Sequence, residues 1–165
     1  MIKNLYQNPV QLASLNDCNF NHTTDIPGDG MVEGQWDLRA GVNDYLGHYD
    51  FNGKRVLEIG PATGFLTFHM EQAAAEVVAV DLPLDRGFWN AVPYDKLGLA
   101  RRDSEQWTQA EEQFFDHISR IRNGFWYCHE KFDSQAKVYL GSAENLPDEL
   151  GEFDVALLAA VLLHT

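Results

Sequence analysis

The sequence predicts an α/β domain built on a parallel sheet, and three observations carry that prediction. Short, almost wholly apolar runs rich in β-branched residues recur along the chain, as at 56–59 (VLEI) and 77–80 (VVAV). Segments with helical spacing separate them. Each of those two runs ends in glycine or aspartate, the residues expected where a strand turns toward a helix or a ligand. Strand and helix in alternation specify an α/β architecture.

Taken in order, residues 1–35 are expected to be irregular. Asn, Asp, Gly and Pro are dense there, and 25–30 (DIPGDG) reads as turns. A short helix is expected over 39–47, with Val42, Tyr45 and Leu46 on one face. Asn52-Gly53 is a turn signal ahead of the first strand, 54–60 (KRVLEIG). Residues 65–75 have helical spacing, with Phe65, Phe68 and Gln72 at successive turns. The second strand is 76–81 (EVVAVD); a parallel strand is apolar throughout when helices cover both faces of its sheet. Third and fourth strands are expected at 136–141 and 153–158.

A long insertion, 82–135, separates the second and third strands. Its second half reads as a helix that Asp103 can cap, with Gln106 three residues on and Trp107, Ala110, Phe114, Ile118 and Ile121 as one stripe. Ten of the chain's twenty aromatic residues lie in this insertion, among them Phe88, Trp89, Phe125, Trp126 and Tyr127. They are expected to pack it onto the core, an aromatic substrate pocket being the alternative. The organisation is therefore a lead-in with a first helix over 1–50 and a sheet domain over 51–165. Residues 161–165 leave the fourth strand without a covering helix. The chain is accordingly read as a fragment, incomplete at its C-terminus, or as one whose fourth strand a partner covers.

Of 165 residues 45% are hydrophobic, enough for a real core, and the net charge is -13. No basic run is longer than two residues, as at Arg101-Arg102, so charge does not support a nucleic-acid partner, although a basic C-terminal continuation would admit one. Cys18 and Cys128 make no disulfide framework. With no signal-peptide layout at the start and no apolar stretch of about 20 residues, a cytoplasmic protein without a membrane partner is expected.

Residues 58–64 (EIGPATG) leave a strand and enter a helix, the context required of a nucleotide-binding glycine loop. Gly60 can turn sharply, and Gly64 lets the helix start close to the sheet. Glu58 can accept from a cationic amine. Asp81, 21 residues past Gly60, ends the second strand, where a carboxylate can take both hydroxyls of a ribose. Ala62 and Phe65 stand where a dinucleotide fingerprint has glycines, and no P-loop Lys-Ser/Thr pair is present, which favours an adenosine ligand without pyrophosphate.

With these residues in view, 56–64 (VLEIGPATG) resembles the first motif of class I S-adenosylmethionine (SAM)-dependent methyltransferases, E/D-x-G-x-G-x-G. The runs 77–81, 141–147 (GSAENLP) and 153–164 (FDVALLAAVLLH) are similar to the motifs that follow it. The resemblance spans 54–165. It implies a Rossmann-like sheet of strand order 3-2-1-4, stopping after the fourth strand, and SAM as cofactor. Gly60, Pro61, Ala62 and Gly64 would line the methionine part, Glu58 would sit near its amine, and Asp81 would bind the ribose with Leu82 beside the adenine. Ser142 and Ala143 would flank the adenine edge, and Ala159 or Ala160 would face the sulfonium. In two places the sequence departs from the pattern: Ala62 replaces the middle glycine, tolerable if its backbone angles are ordinary, and Ser142 replaces an aspartate. Residues 25–39 are similar to the lead-in of a methyltransferase group that includes the carboxymethylating tRNA wobble-uridine enzymes, which makes Trp36 and Arg39 candidate lid contacts. Alternatively, Trp36 packs and Arg39 is a surface charge at a helix start. Without an evident carboxylate-binding set, ordinary SAM is preferred to a carboxylated form.

His164 could serve as a general base, a capping or solvated histidine being the alternative. His69, His117 and His129 show no metal-ligand spacing, and Cys128 fits a small buried hydrophobe. The function expected is SN2 transfer of the SAM methyl group to an unidentified acceptor, a small molecule or otherwise. The alternatives are a non-catalytic SAM- or adenosine-binding module, an inactive methyltransferase fragment and, more weakly, a nicotinamide-dependent dehydrogenase.

Overall fold

Successive side chains of a strand point to opposite faces, so β3 (Arg55–Ile59) sends Val56 and Glu58 one way and Leu57 and Ile59 the other. The same alternation divides β4 (Glu76–Asp81) into Val77 and Ala79 against Val78 and Val80, all four buried. In the computed structural model, residues 4–12, 14–85 and 105–159 are described, with the backbone alone for 105–107. The chain is α/β. Its four-stranded parallel sheet has the order β5 (Lys137–Leu140), β4, β3, β6 (Val155–Leu157). Register is continuous across it, with Ile59 opposite Val80, Asp81 opposite Leu140 and Glu58 opposite Leu157.

One face carries both longer helices. α2 (Phe65–Glu71) buries Leu66 and Met70 with Val56 and Val77, while α3 (Glu105–Lys131) buries Phe125, Trp126 and Cys128 with Ala79 and Val138. The opposite face, Leu57, Ile59, Val78 and Val80, is covered by Leu150 and by half-buried Leu5, Tyr6, Leu146 and Phe153. Helices on both faces were the expectation. Among the described residues an extended N-terminal segment and residues 146–153 do that work on one of them, and the Gln7 N–H donates to Val138 O at 2.8 Å.

The 27 residues of α3 span about 40 Å. This helix is the crossover that the parallel pair β4 and β5 requires, so the second half of the expected insertion belongs to the sheet's own wiring. Six consecutive positions, 124–129, are buried, a broader contact than the single stripe predicts. Gly124 makes this possible: a Cβ there would stand 2.8 Å from Asn19 O and 3.0 Å from Thr63 Cγ2. Phe88 and Trp89, with most of the first half of the insertion and its proposed cap Asp103, lie outside the described residues, as do Ala160 and residues 161–165.

The lead-in is more ordered than its composition suggests. β1 (Thr24–Ile26) and β2 (Gly30–Val32) form an antiparallel hairpin whose turn places Gly28 at φ +86°. Three-residue strands are too short for a periodicity signal, which explains why only the turn was legible. α1 spans Val42–Tyr45, shorter than expected. The Arg39 N–H is taken by Asp37 Oδ1 at 3.1 Å, which holds 37–39 in a side-chain-closed turn, and Gly47 and His48 at positive φ stop the helix. α2 likewise ends before residue 75, because the Ala75 N–H donates to Lys54 O and draws the chain into β4.

Candidate functional site

Parallel strands present all their carboxyl ends on one edge, and in open α/β sheets ligands bind there. That edge is where the structure places every sequence-predicted site residue it describes. Glu58, Gly60, Pro61, Ala62 and Gly64 come from β3 and the bend after it, and Asp81 and Leu82 from the tip of β4. Ser142 and Ala143 follow β5, and Ala159 follows β6. Two backbone bonds close the edge: Gly60 N–H to Val80 O and Gly141 N–H to Asp81 O, both 2.9 Å. Gly60 and Asp81 therefore sit on neighbouring strand tips.

The bend is left-handed at three of five positions, with φ of +72° at Gly60, +51° at Ala62 and +82° at Gly64. The ordinary angles that would make alanine comfortable at position 62 are absent. Its Cβ crowds the following carbonyl, at a cost of roughly 1 kcal/mol relative to glycine. At Gly64 a Cβ would also meet the Phe68 ring at 2.3 Å and the Phe125 ring at 2.9 Å, so these two aromatics close over the start of α2 only because this residue has none.

Among the described residues Glu58 is the most deeply placed charge-bearing group, 2% exposed, with its Oε2 accepting from the Thr67 hydroxyl of α2. Burial pushes its carboxyl up to about 7 and the Thr67 bond pulls the other way. It is thus an acid whose charge a neighbouring ammonium would stabilise.

Asp81 stands in a different environment. Its Oδ1 accepts from Leu82 N at 2.9 Å and its Oδ2 from Arg122 Nη2 at 2.9 Å, and Arg122 also donates to Leu82 O. Burial raises the carboxyl above its usual range while Arg122 lowers it. Since each carboxylate oxygen has two acceptor sites, one remains open on each, which matches a pair of vicinal hydroxyls. Arg122, only 12% exposed, carries no sequence signal of this role beyond its place on a helix. Together with Phe125 and Trp126 it faces Pro61, Ala62 and Asp81 across a cavity of about 10 Å³, room for one water. The α3 aromatics are thus both core and wall of the candidate site.

Ser142 Oγ accepts from Glu144 N at 3.2 Å, which shapes the loop after β5. Ala159 is half-buried against the cluster around Val56 and Leu66.

The lead-in reaches the same edge. Asn21, His22 and Thr23 run beside Trp36, with Trp36 N–H to Asn21 O at 2.9 Å and Thr23 N–H to Trp36 O at 2.8 Å. The His22 ring stacks on Phe65 at 5.3 Å and lies 6.2 Å from Trp36. Trp36 is 57% exposed at this margin. Arg39 pairs with Asp25 at 2.9 Å and Asp37 at 2.8 Å, a brace between hairpin and lead-in, so the surface-charge alternative describes it better than a lid contact. Sequence reasoning passed over Asn21 and His22; the only signal was a histidine beside polar residues in an otherwise turn-rich segment.

The other titratable candidates are engaged elsewhere. His69 bonds Asn43, His117 bonds Asn19, and buried His129 bonds Ala136 O. Burial raises Cys18 to about 11 and Cys128 to about 12, so both are protonated, unreactive thiols near neutrality. His164 lies outside the described residues. No helix among the described residues is long and apolar enough to cross a membrane. No protein-family model matches the chain, and no curated protein matches it significantly.

Proposed function

We propose that this chain binds SAM at the carboxyl edge of a Rossmann-like sheet and belongs to a methyltransferase that passes the methyl group to an acceptor. One observation carries the reading: a bend of left-handed residues and a carboxylate with one free acceptor site per oxygen occupy adjacent parallel strand tips. The strand order, with the first two sheet strands central, supports the Rossmann-like class.

The residues fit the group. Asp81 would accept from the two ribose hydroxyls, with Leu82, Ser142 and Ala143 beside the base. Gly60, Pro61, Ala62 and Gly64 would admit the amino-acid end close to the backbone, with Glu58 as the nearest acidic charge. SAM supplies a methyl carbon already made electrophilic by its sulfonium, so the chain's work is alignment and exclusion of water. The aromatic wall from α3, Phe125 and Trp126, serves exclusion. Because the cavity is so small, entry requires Arg122 to release Leu82 O or swing aside. Ligand pockets run to hundreds of Å³.

Calorimetric titration with SAM and with NAD tests the cofactor class. Heat with SAM and none with NAD is expected, and a folded sample silent to SAM would refute the proposal. Transfer of label from methyl-labelled SAM into cell extract then separates a methyltransferase from a non-catalytic SAM-binding module or inactive fragment.

A further inference from the structure

The last carbonyls of a helix point the same way, so its C-terminal end favours a cation. The end of α3 adds acidic side chains to that field: Glu130 lies in its last turn, and Asp133 follows at φ +51°, a left-handed angle that aspartate tolerates. Here the helix and the N-terminal segment bound a cleft of about 230 Å³. The segment contributes Pro9 and exposed Val10, and the helix end contributes Trp126, His129, Glu130 and Asp133. Trp126 also lines the small cavity beside Asp81, so its indole is a wall common to both hollows.

Nothing in the cleft neutralises its acids. No lysine or arginine lines it, and Lys131 is paired with Asp29 at 2.9 Å. Among the described residues neither the Glu130 nor the Asp133 side chain has an ion pair or a hydrogen bond. His129 gives a second, independent observation. It is 7% exposed, and its Nε2 bonds Ala136 O at 3.0 Å. A carbonyl only accepts, so Nε2 holds the proton and Nδ1 of the neutral ring holds a lone pair. That Nδ1 has no hydrogen-bond partner among the described residues, yet the atoms sealed from water without partners are Asn21 Oδ1, His22 Nδ1 and Thr63 Oγ1. The Nδ1 of His129 therefore opens onto accessible space, and the cleft is the space that His129 lines. Backbone bonds from Ser134 N–H to His129 O at 2.9 Å and from Asp133 N–H to Glu130 O at 3.1 Å hold this wall in place.

We propose that the cleft binds a small planar cation of the amidinium or guanidinium class, its N–H groups toward Glu130, Asp133 and His129 Nδ1 and its apolar part against Pro9, Val10 and Trp126. The chemistry selects the class. An imidazole lone pair and two carboxylates all accept, which suits a cation that only donates. Among the described residues no three His, Cys, Asp or Glu groups are placed to hold a metal ion, so the acceptors call for donors spread over a rigid frame. An indole attracts such a cation as well. An anion would meet a chain of net charge -13 and no basic side chain in the cleft. Drug-sized ligands fill about 300 Å³ or more, so the occupant is smaller than these.

Benzamidine and benzamide, which share a shape and differ in charge, give the test, with benzylamine as a cation whose donors sit on one atom. Calorimetry should show benzamidine binding the unaltered chain at least roughly tenfold more tightly than either of the others. Glu130→Gln combined with Asp133→Asn should cost benzamidine roughly tenfold in affinity, as loss of two exposed charge pairs predicts. Asparagine accepts the left-handed angle as aspartate does, so Tm should not change. Were Tm to fall, the three-ligand comparison on the unaltered chain would still decide. No binding of benzamidine, equal binding of benzamide, tighter binding of benzylamine, or a folded double variant that keeps full affinity would each overturn the proposal. Because neither strand tip takes part, the SAM titration and this one succeed or fail separately.

Discussion

The two central strand tips, barely one strand spacing apart, solve opposite problems. At the tip of β3 the backbone is left-handed at Gly60, Ala62 and Gly64, Thr63 holds a hydroxyl without a partner, and Glu58 is buried with one hydroxyl for company. At the tip of β4 the carboxylate of Asp81 is tied down by Leu82 N–H and Arg122, and Arg122 closes on Leu82 O as well. One side carries unpartnered polar atoms and conformational cost; the other already holds one partner on each carboxylate oxygen before any ligand arrives. The contrast teaches that a single edge can be prepared on one side and guarded on the other. A ligand gains on the β3 side by supplying missing partners, and on the β4 side it must compete with, or share, an existing cation.

The sharpest way to break this comparison is at the guarded tip. Asp81→Ala removes acceptors for two hydroxyls; bonds to a charged group contribute roughly 1.5–3 kcal/mol each, so SAM affinity should fall by at least about 100-fold in calorimetry. Retained affinity would move the ribose elsewhere.

Next in size is the buried acid of the prepared side. Glu58 has a folded-state value of about 7 against an ordinary 4.5. The folded state therefore binds the extra proton between those values. Stability from this group is fully present below about 4.5, declines as pH rises and is gone above about 7. The difference is on the order of 3 kcal/mol in the ligand-free protein. Denaturant melts across that window should show the decline, and Glu58→Gln should flatten it. An unchanged slope in the variant would assign the effect to another group.

Arg122→Gln sharpens the comparison from the other direction. It removes the cation that a positively charged cofactor must face, so SAM affinity should rise by roughly tenfold, about 1.4 kcal/mol. Weaker binding would instead make Arg122 a ligand contact.

The smallest effect is expected at Ala62→Gly. Glycine tolerates φ +51° without a Cβ clash, but its greater freedom in the unfolded chain offsets part of the gain. A net stabilisation of about 0.5 kcal/mol is predicted, readable as a rise in Tm of about 1–2 °C.

What could be read ahead of the structure follows from range. The four sheet strands were legible because apolar runs such as 77–80 advertise burial on both faces, and the bend was legible because Gly60 and Gly64 answer to local backbone geometry. The hairpin at 24–32 was not, since three-residue strands carry no period and depend on their pairing. Nor was the full extent of α3, which is buried all round over 124–129 and so shows no amphipathic stripe there. Arg122 gave no warning either: a lone arginine on a helix looks like any solvated charge until the helix is docked.

The amino-acid order alone settled the local matters: where strands run, where the chain bends, and that a carboxylate ends the second strand. Those depend on neighbouring residues and on the backbone's steric limits. Tertiary packing alone decided what each tip faces. It set Arg122 on Asp81, seated the α3 rings over the bend by way of Gly124, and shut Asn21 Oδ1, His22 Nδ1 and Thr63 Oγ1 away from water without partners. Contacts between residues 40 or more positions apart depend on how whole elements dock, and no local window of sequence encodes them.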